Sequence, residues 1–146
     1  MERLTYAVRG LGCWRLDGAD TEPRICRVTS VVALAESTLT QSRSRDPNRR
    51  SRWVDEIGPA KIVESYSAGI KLALVARGEA DIYLNTYDAF HDWDICAGHI
   101  LVVEAGGQVT GTGGQVLRYG LPDAWQRDGL LATNGRLHEM VLKRIR

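Results

Sequence analysis

Three polar junctions in this sequence combine residue types that can do chemistry. The first is His91-Asp92-Trp93-Asp94, continued by Ile95-Cys96-Ala97-Gly98. An Asp at such a point most often caps its own helix, its carboxylate accepting bonds from free backbone amides. The same carboxylate can instead face a divalent cation while the helix start supports a neighbouring phosphate. Caps far outnumber metal sites, so the residues alone favour the cap for Asp94. Ala97 and Gly98 allow close helix packing under either role.

The second junction is Ser67-Ala68-Gly69, with Lys71 two residues on. Small residues opening a helix let backbone amides approach a phosphate, and a lysine there can neutralise it. The glycine spacing of a P-loop is missing, so a nucleoside triphosphate site is rejected; a plain helix start with a surface lysine stays open. The third is Ser42-Arg43-Ser44-Arg45, whose hydroxyls and guanidiniums bond a ligand, accept a phosphate group, or simply keep a loop soluble. Arg49, Arg50 and Arg52 form either a phosphate-binding cluster or, more commonly, a solvated helix face. Gly111-Thr112-Gly113-Gly114 reads as a hairpin turn, because no helix follows it to make a phosphate cradle. Glu104 falls in the last turn of its helix, away from Asp94, and is expected to be structural.

These junctions have to be held by elements that the patterning predicts. Leu4 to Leu16 is expected to be a hairpin turning at Gly10 and Gly12. Ile25 to Thr29 alternates like a half-buried strand, and the apolar run Val31 to Ala35 reads as a strand covered on both faces. The polar stretch Thr38 to Arg52 is expected to be the most solvated part of the chain. A helix starting at Asp46-Pro47 should run to about Ile57 and stop at Gly58-Pro59. Strands are expected at Ala60 to Glu64, Ala80 to Thr86 and Gly129 to Thr133. Helices are expected from Ile70 to Ala76, led in by Ser65 to Gly69 and ended by Gly78, from Trp93 to Ala105 and from Leu137 to Ile145. Val109-Thr110 and Val116 to Tyr119 should pair as a second hairpin. Such alternation indicates an α/β layered mixed sheet with helices on both faces, not a helical bundle.

The whole chain sets broad bounds. Its 146 residues suit one domain, and 44% hydrophobic with 25% charged residues is ordinary for a soluble globular protein. A net charge of +1 gives no global pull towards nucleic acid or a membrane surface. No apolar run approaches the roughly 20 residues that span a bilayer, and the Met-Glu-Arg-Leu-Thr-Tyr start does not read as a signal peptide. Cys13, Cys26 and Cys96 read as reduced, partly buried thiols of a cytoplasmic protein, small hydrophobes rather than nucleophiles. His91, His99 and His138 are too scattered to suggest zinc.

The run Trp93-Asp94-Ile95-Cys96-Ala97-Gly98-His99-Ile100-Leu101-Val102-Val103-Glu104-Ala105-Gly106-Gly107 resembles the second signature of the inositol monophosphatase superfamily. Tyr6 to Trp14 resembles the family's preceding hairpin. Ser67 to Leu72, continued by Ala76-Arg77-Gly78-Glu79-Ala80-Asp81, resembles its helix–strand unit. Ser42-Arg43-Ser44 and the Ser-Ala-Gly-Ile-Lys segment are most similar to the 3'(2'),5'-bisphosphate nucleotidase branch, with inositol or fructose-phosphate phosphatases as the alternative. The resemblance implies the C-terminal half of the family's αβαβα sandwich. It implies Asp94 as a Mg2+ ligand and catalytic residue. Ser67, Ala68, Gly69 and Lys71 would lie at the substrate phosphate or sugar, and Ser42 near the nucleoside. Tyr87 to His91 would line the pocket, without an acidic match to the inositol-binding position.

The family's first signature, Asp-Pro-Ile/Leu-Asp-Gly-Thr, and its upstream Glu-Glu pair have no counterpart here; Asp46-Pro47 continues as Asn-Arg-Arg. Those carboxylates supply most of the metal coordination. The expectation is a Mg2+-dependent phosphomonoesterase half, acting on a phosphorylated small molecule, that is inactive alone and needs an N-terminal half. A non-catalytic phosphate-binding domain is the competing expectation. Without that half, an uncovered sheet face should favour self-association.

Overall fold

Period-two patterning builds the first unit. The computed structural model describes residues 3–43 and 52–145. In it β1 (Arg3–Val8) and β2 (Gly12–Asp17) form the expected antiparallel hairpin, with Tyr6 opposite Trp14. Gly10 and Gly12 take φ of 79° and 87° at its turn, which side chains disfavour. The third strand, β3 (Arg24–Cys26), is shorter than the expected Ile25 to Thr29 and sets Cys26 opposite Cys13. Both thiols are buried, and burial pushes Cys13 up to about 12; Cys96 is exposed. Leu4, Tyr6 and Val8 alternate outward and stay exposed, as do Leu11 and Ile25.

The second unit is a five-stranded mixed sheet. Its strands are β4 (Thr38–Ser42), β5 (Lys61–Ser65), β6 (Ile82–Asn85), β8 (Gln108–Thr110) and β10 (Leu130–Thr133), in the order β5-β4-β6-β10-β8. β4 runs parallel to β5 and β6, and β10 runs antiparallel to β6 and β8. Helices α2 (Ala68–Ala76) and α3 (Asp92–Glu104) cover one face, where Leu72, Val75, Ile95 and Val102 meet Tyr83, Leu130 and Ala132. Helices α1 (Arg52–Ile57) and α4 (His138–Ile145) cover the other, with Val54, Ile57, Val141 and Leu142 on Leu39, Ile82 and Leu131. Ile82 and Tyr83 thus serve opposite cores, as do Leu131 and Ala132, so this strand pattern is that of a sheet with both faces buried. The three-stranded sheet packs beyond α3. A two-stranded ribbon, β7 (Phe90–His91) with β9 (Trp125–Gln126), completes the strands. No helix among the described residues is long and apolar enough to cross a membrane.

Two sequence expectations fail here. Val31 to Ala35 is not a strand: Val32 is exposed, and the segment ends in a short 3-10 turn at Leu34–Glu36. The side-chain amide of Asn134 donates to the Val31 carbonyl at 2.8 Å and to the Thr29 hydroxyl at 3.0 Å, fixing this segment as loop. The strand is instead β4, inside the stretch expected to be most solvated. Leu39 and Thr40 are buried, and the Thr38 amide donates to the Asp81 carboxylate at 2.7 Å. Hydroxyl side chains make Thr-Leu-Thr-Gln-Ser look polar, although threonine suits a pleated, buried strand. The Asp46-Pro47 helix start lies outside the described residues, while α1 does stop at Gly58, which has φ 64°.

Likewise Val116 to Tyr119 is no strand. The Gly111–Gly114 turn forms, its Gly114 amide bonding the Gly111 carbonyl at 3.0 Å. Beyond it the chain wanders, because β8 finds its partner in β10 and the Arg118 carbonyl accepts from the Gln126 side chain at 2.6 Å.

Candidate functional site

Helices α2 and α3 pack side by side because Gly98 has no side chain. A Cβ there would sit 2.4 Å from Leu72 Cδ1, far inside contact distance. This close approach brings the two helix starts to the rim of one cleft of about 580 Å³. Ser67, Ala68 and Gly69 line it from α2, and Trp93 and Asp94 from α3. The β7–β9 ribbon supplies the remaining wall, since pairing of His91 with Trp125 carries that tryptophan across.

The two acids of the first α3 turn divide their work. Asp92 is a brace: one carboxylate oxygen accepts from the Gly120 amide at 2.8 Å and the other from Gln126 Nε2 at 2.7 Å. Asp94 stands at the third helical position, not at the N-cap, which is His91; its Oδ2 accepts from the His91 backbone amide at 2.9 Å as half of a capping box. Its side chain nevertheless remains 43% exposed and lines the cleft. The helix dipole favours a carboxylate at this end. Ser67 takes φ 58°, ψ 137°, unusual for a side-chain-bearing residue, and its hydroxyl does not cap α2. A free hydroxyl and the start of α2 therefore face the same cleft as Asp94.

Ser42 and Lys71 come together elsewhere and do not line the cleft. Lys71 is 2% exposed. Its ammonium donates to Ser42 Oγ at 3.2 Å and to the Ser65 carbonyl at 3.4 Å, and lies 5.2 Å from the Tyr83 ring centroid. Burial pushes its pKa down. It sits at the carboxyl ends of the parallel strands β4 and β5, the usual ligand end of an α/β sheet. Arg43 stacks over Tyr66, 5.4 Å from its centroid. Ser44, Arg45, Arg49 and Arg50 lie outside the described residues.

Glu104 belongs to the opposite end of α3 and is structural, as expected. Its carboxylate accepts from the Gly10 and Gly12 amides at 2.9 and 3.0 Å and pins the β1–β2 turn. Asp92 as a brace and Trp125 as a cleft wall were not expected. The signal for Asp92 was its place in the first helical turn; Trp125 lies 32 residues from Trp93, and only the ribbon pairing connects them.

The donor set does not complete a divalent-cation site. Among the described residues no three His, Cys, Asp or Glu side chains gather to hold a metal, and Asp94 is the one acid lining the cleft. Magnesium requires near-octahedral oxygen coordination, and two-metal chemistry requires several carboxylates.

The chain matches the model of the inositol monophosphatase family over residues 1–146. It is 32% identical to the histidinol-phosphatase of Mycobacterium tuberculosis over 99% of this chain and 53% of that protein. It is 40% identical to the 3'(2'),5'-bisphosphate nucleotidase CysQ of Buchnera aphidicola, over 62% of this chain and 34% of that one. The inositol monophosphatase of Anabaena superposes with a TM-score of 0.77 at 27% identity, over 99% of this chain and 56% of that one. The chain thus spans about half the length of relatives that it matches along nearly its own whole length. With signature, fold and family model in agreement, the chain belongs to the inositol monophosphatase family.

Proposed function

We propose that this chain is the C-terminal, substrate-side half of a Mg2+-dependent phosphomonoesterase acting on a 3'(2'),5'-bisphosphate nucleotide. The observation that carries this reading is the single cleft onto which Ser67, Ala68, Gly69 and Asp94 all face. Amides at the α2 start, with the small side chains of Ala68 and Gly69, let a phosphate approach closely. Ser67 Oγ adds a hydrogen-bond donor, and Asp94 a single carboxylate for a cation. Lys71 and Ser42 do not line this cleft; at the strand ends they bond each other. The remaining ligands of the metal site must come from outside these residues, so the chain alone is inactive or nearly so.

Bisphosphate nucleotidases among the relatives support the nucleotide, and Tyr87 to His91 offers no acid lining the cleft for a polyol. The histidinol-phosphatase relative supports a second substrate, an imidazole-bearing phosphate ester. The complementary N-terminal half, or a second copy of the chain, would cover the outer face of β1–β3, where Leu4, Tyr6 and Val8 are exposed. We place the protein in the cytoplasm, consistent with its free thiols.

Titrating the 15N-labelled chain with adenosine 3',5'-bisphosphate in Mg2+ tests the site. Shifts concentrated at residues 67–69 and 94 are expected; shifts confined to other surfaces would remove the substrate-side assignment.

A further inference from the structure

We propose that Tyr87 and Trp93 form a stacking wall for a planar heteroaromatic ring carried by the alcohol part of the substrate. This deepens, and rests on, the assignment of the same cleft to phosphate-ester binding. Trp93 is 67% exposed and Tyr87 56% exposed, and both line the cleft beside Ser67 to Gly69 and Asp94.

Each ring is backed by another. The His91 ring lies against Trp93 at 4.4 Å between centroids and 12° between planes, and Trp125 lies 4.1 Å from His91 on the ribbon. One face of the Trp93 indole lies against the His91 ring, and two thirds of the residue remains exposed. Tyr87 meets the buried Phe90 edge-on at 5.5 Å and 84°. Its backbone amide donates to Asn85 Oδ1 at 2.7 Å, which fixes the loop carrying it. Rings held this way are preorganised, so little freedom remains to be lost when a flat ligand stacks on them.

The surroundings discriminate between alcohols. A polyol needs polar side chains to satisfy its ring hydroxyls. Around Tyr87 and Trp93 the cleft presents Ala89, Phe90 and ring faces, and its polar lining is confined to Ser67, His91 and Asp94. Stacking on an aromatic platform is worth about 1–3 kcal/mol per base, and any flat π-face can use it. A purine and an imidazole share that chemistry.

Calorimetric titration of the purified chain in Mg2+ tests the wall, with adenosine 3',5'-bisphosphate, histidinol phosphate and ring-free inositol 1-phosphate as probes. At least one ring-bearing ester is expected to bind roughly tenfold more tightly than inositol 1-phosphate, and comparing the first two probes separates purine from imidazole. Tyr87→Ala and Trp93→Ala should each reduce that preference, while Tyr87→Phe and Trp93→Phe keep it. These side chains are exposed, and circular dichroism verifies that each variant is folded. Equal affinity for all three esters, or an equal loss for all three in the alanine variants, would overturn the wall and leave the phosphate site standing. Binding of none of the three would overturn the phosphate-ester assignment along with it.

Discussion

Helix α3 carries acids at both ends, and the two ends are finished to different degrees. At its C-terminal end the Glu104 carboxylate accepts from the Gly10 and Gly12 amides, joining the helix to the hairpin 92 residues earlier. The helix dipole disfavours an acid there, so the two amides outweigh it. At its N-terminal end Asp94 sits where the dipole favours it, and its hydrogen bond is a local one, to the backbone three residues back. Glu104 is tied to a distant segment, as Asp92 is by Gly120 and Gln126 at the other end; Asp94 instead opens onto a cleft of which it is the one acid.

Substitutions along α3 should break that contrast in graded fashion. Gly98→Val, in the middle of the helix, would drive a side chain into Leu72 and cost about 3 kcal/mol or more. Denaturant melts should show a large loss of stability or no cooperative transition. Glu104→Ala should cost about 2 kcal/mol, since two backbone amides lose a charged acceptor; a change below about 0.5 kcal/mol would mean that the hairpin holds itself. Asp94→Asn should change the melting free energy by less than about 0.5 kcal/mol, because an amide oxygen can still accept from the His91 amide. A loss as large as that of Glu104→Ala would make Asp94 a structural acid and erase the difference between the ends.

An acid titration probes the closed core separately. The His138 ring bonds Thr133 at 3.0 Å and Thr110 at 2.9 Å, and burial holds its pKa below the ordinary 6.5. His99 is lowered by burial too. Below pH 6.5 the unfolded chain takes up protons that the folded chain refuses. Stability is therefore complete above that value and falls as the pH drops towards the folded pKa. The melting temperature should fall in acid, and His138→Gln should flatten the dependence.

Much of this architecture was legible before the structure. Helices α2 and α3 announced themselves by apolar runs between Ser67 and Gly78 and between Trp93 and Gly106, and the first hairpin by Gly10 and Gly12. What stayed hidden depended on distant partners. Residues 31–35 have the composition of a strand, but Asn134, about a hundred positions on, takes the Val31 carbonyl. Residues 38–42 look like loop until Asp81 and the neighbouring strands are in place. At the cleft, residues 67–69 and Asp94 were foreseen and do share one opening. Lys71, expected near the phosphate, is buried with its ammonium on Ser42, and helical spacing alone does not say which face of α2 is covered. The stack of His91 between Trp93 and Trp125 required the ribbon pairing to be known.

The cleft proposed as a phosphatase site offers a single acid, Asp94, to a cation. Its most direct test is Mg2+-dependent release of phosphate from adenosine 3',5'-bisphosphate by the purified, demonstrably folded chain, alongside the Asp94→Asn variant. We predict release at background for both. Turnover by the parent chain that Asp94→Asn abolishes would show that a complete site assembles from these residues, and would contradict the account.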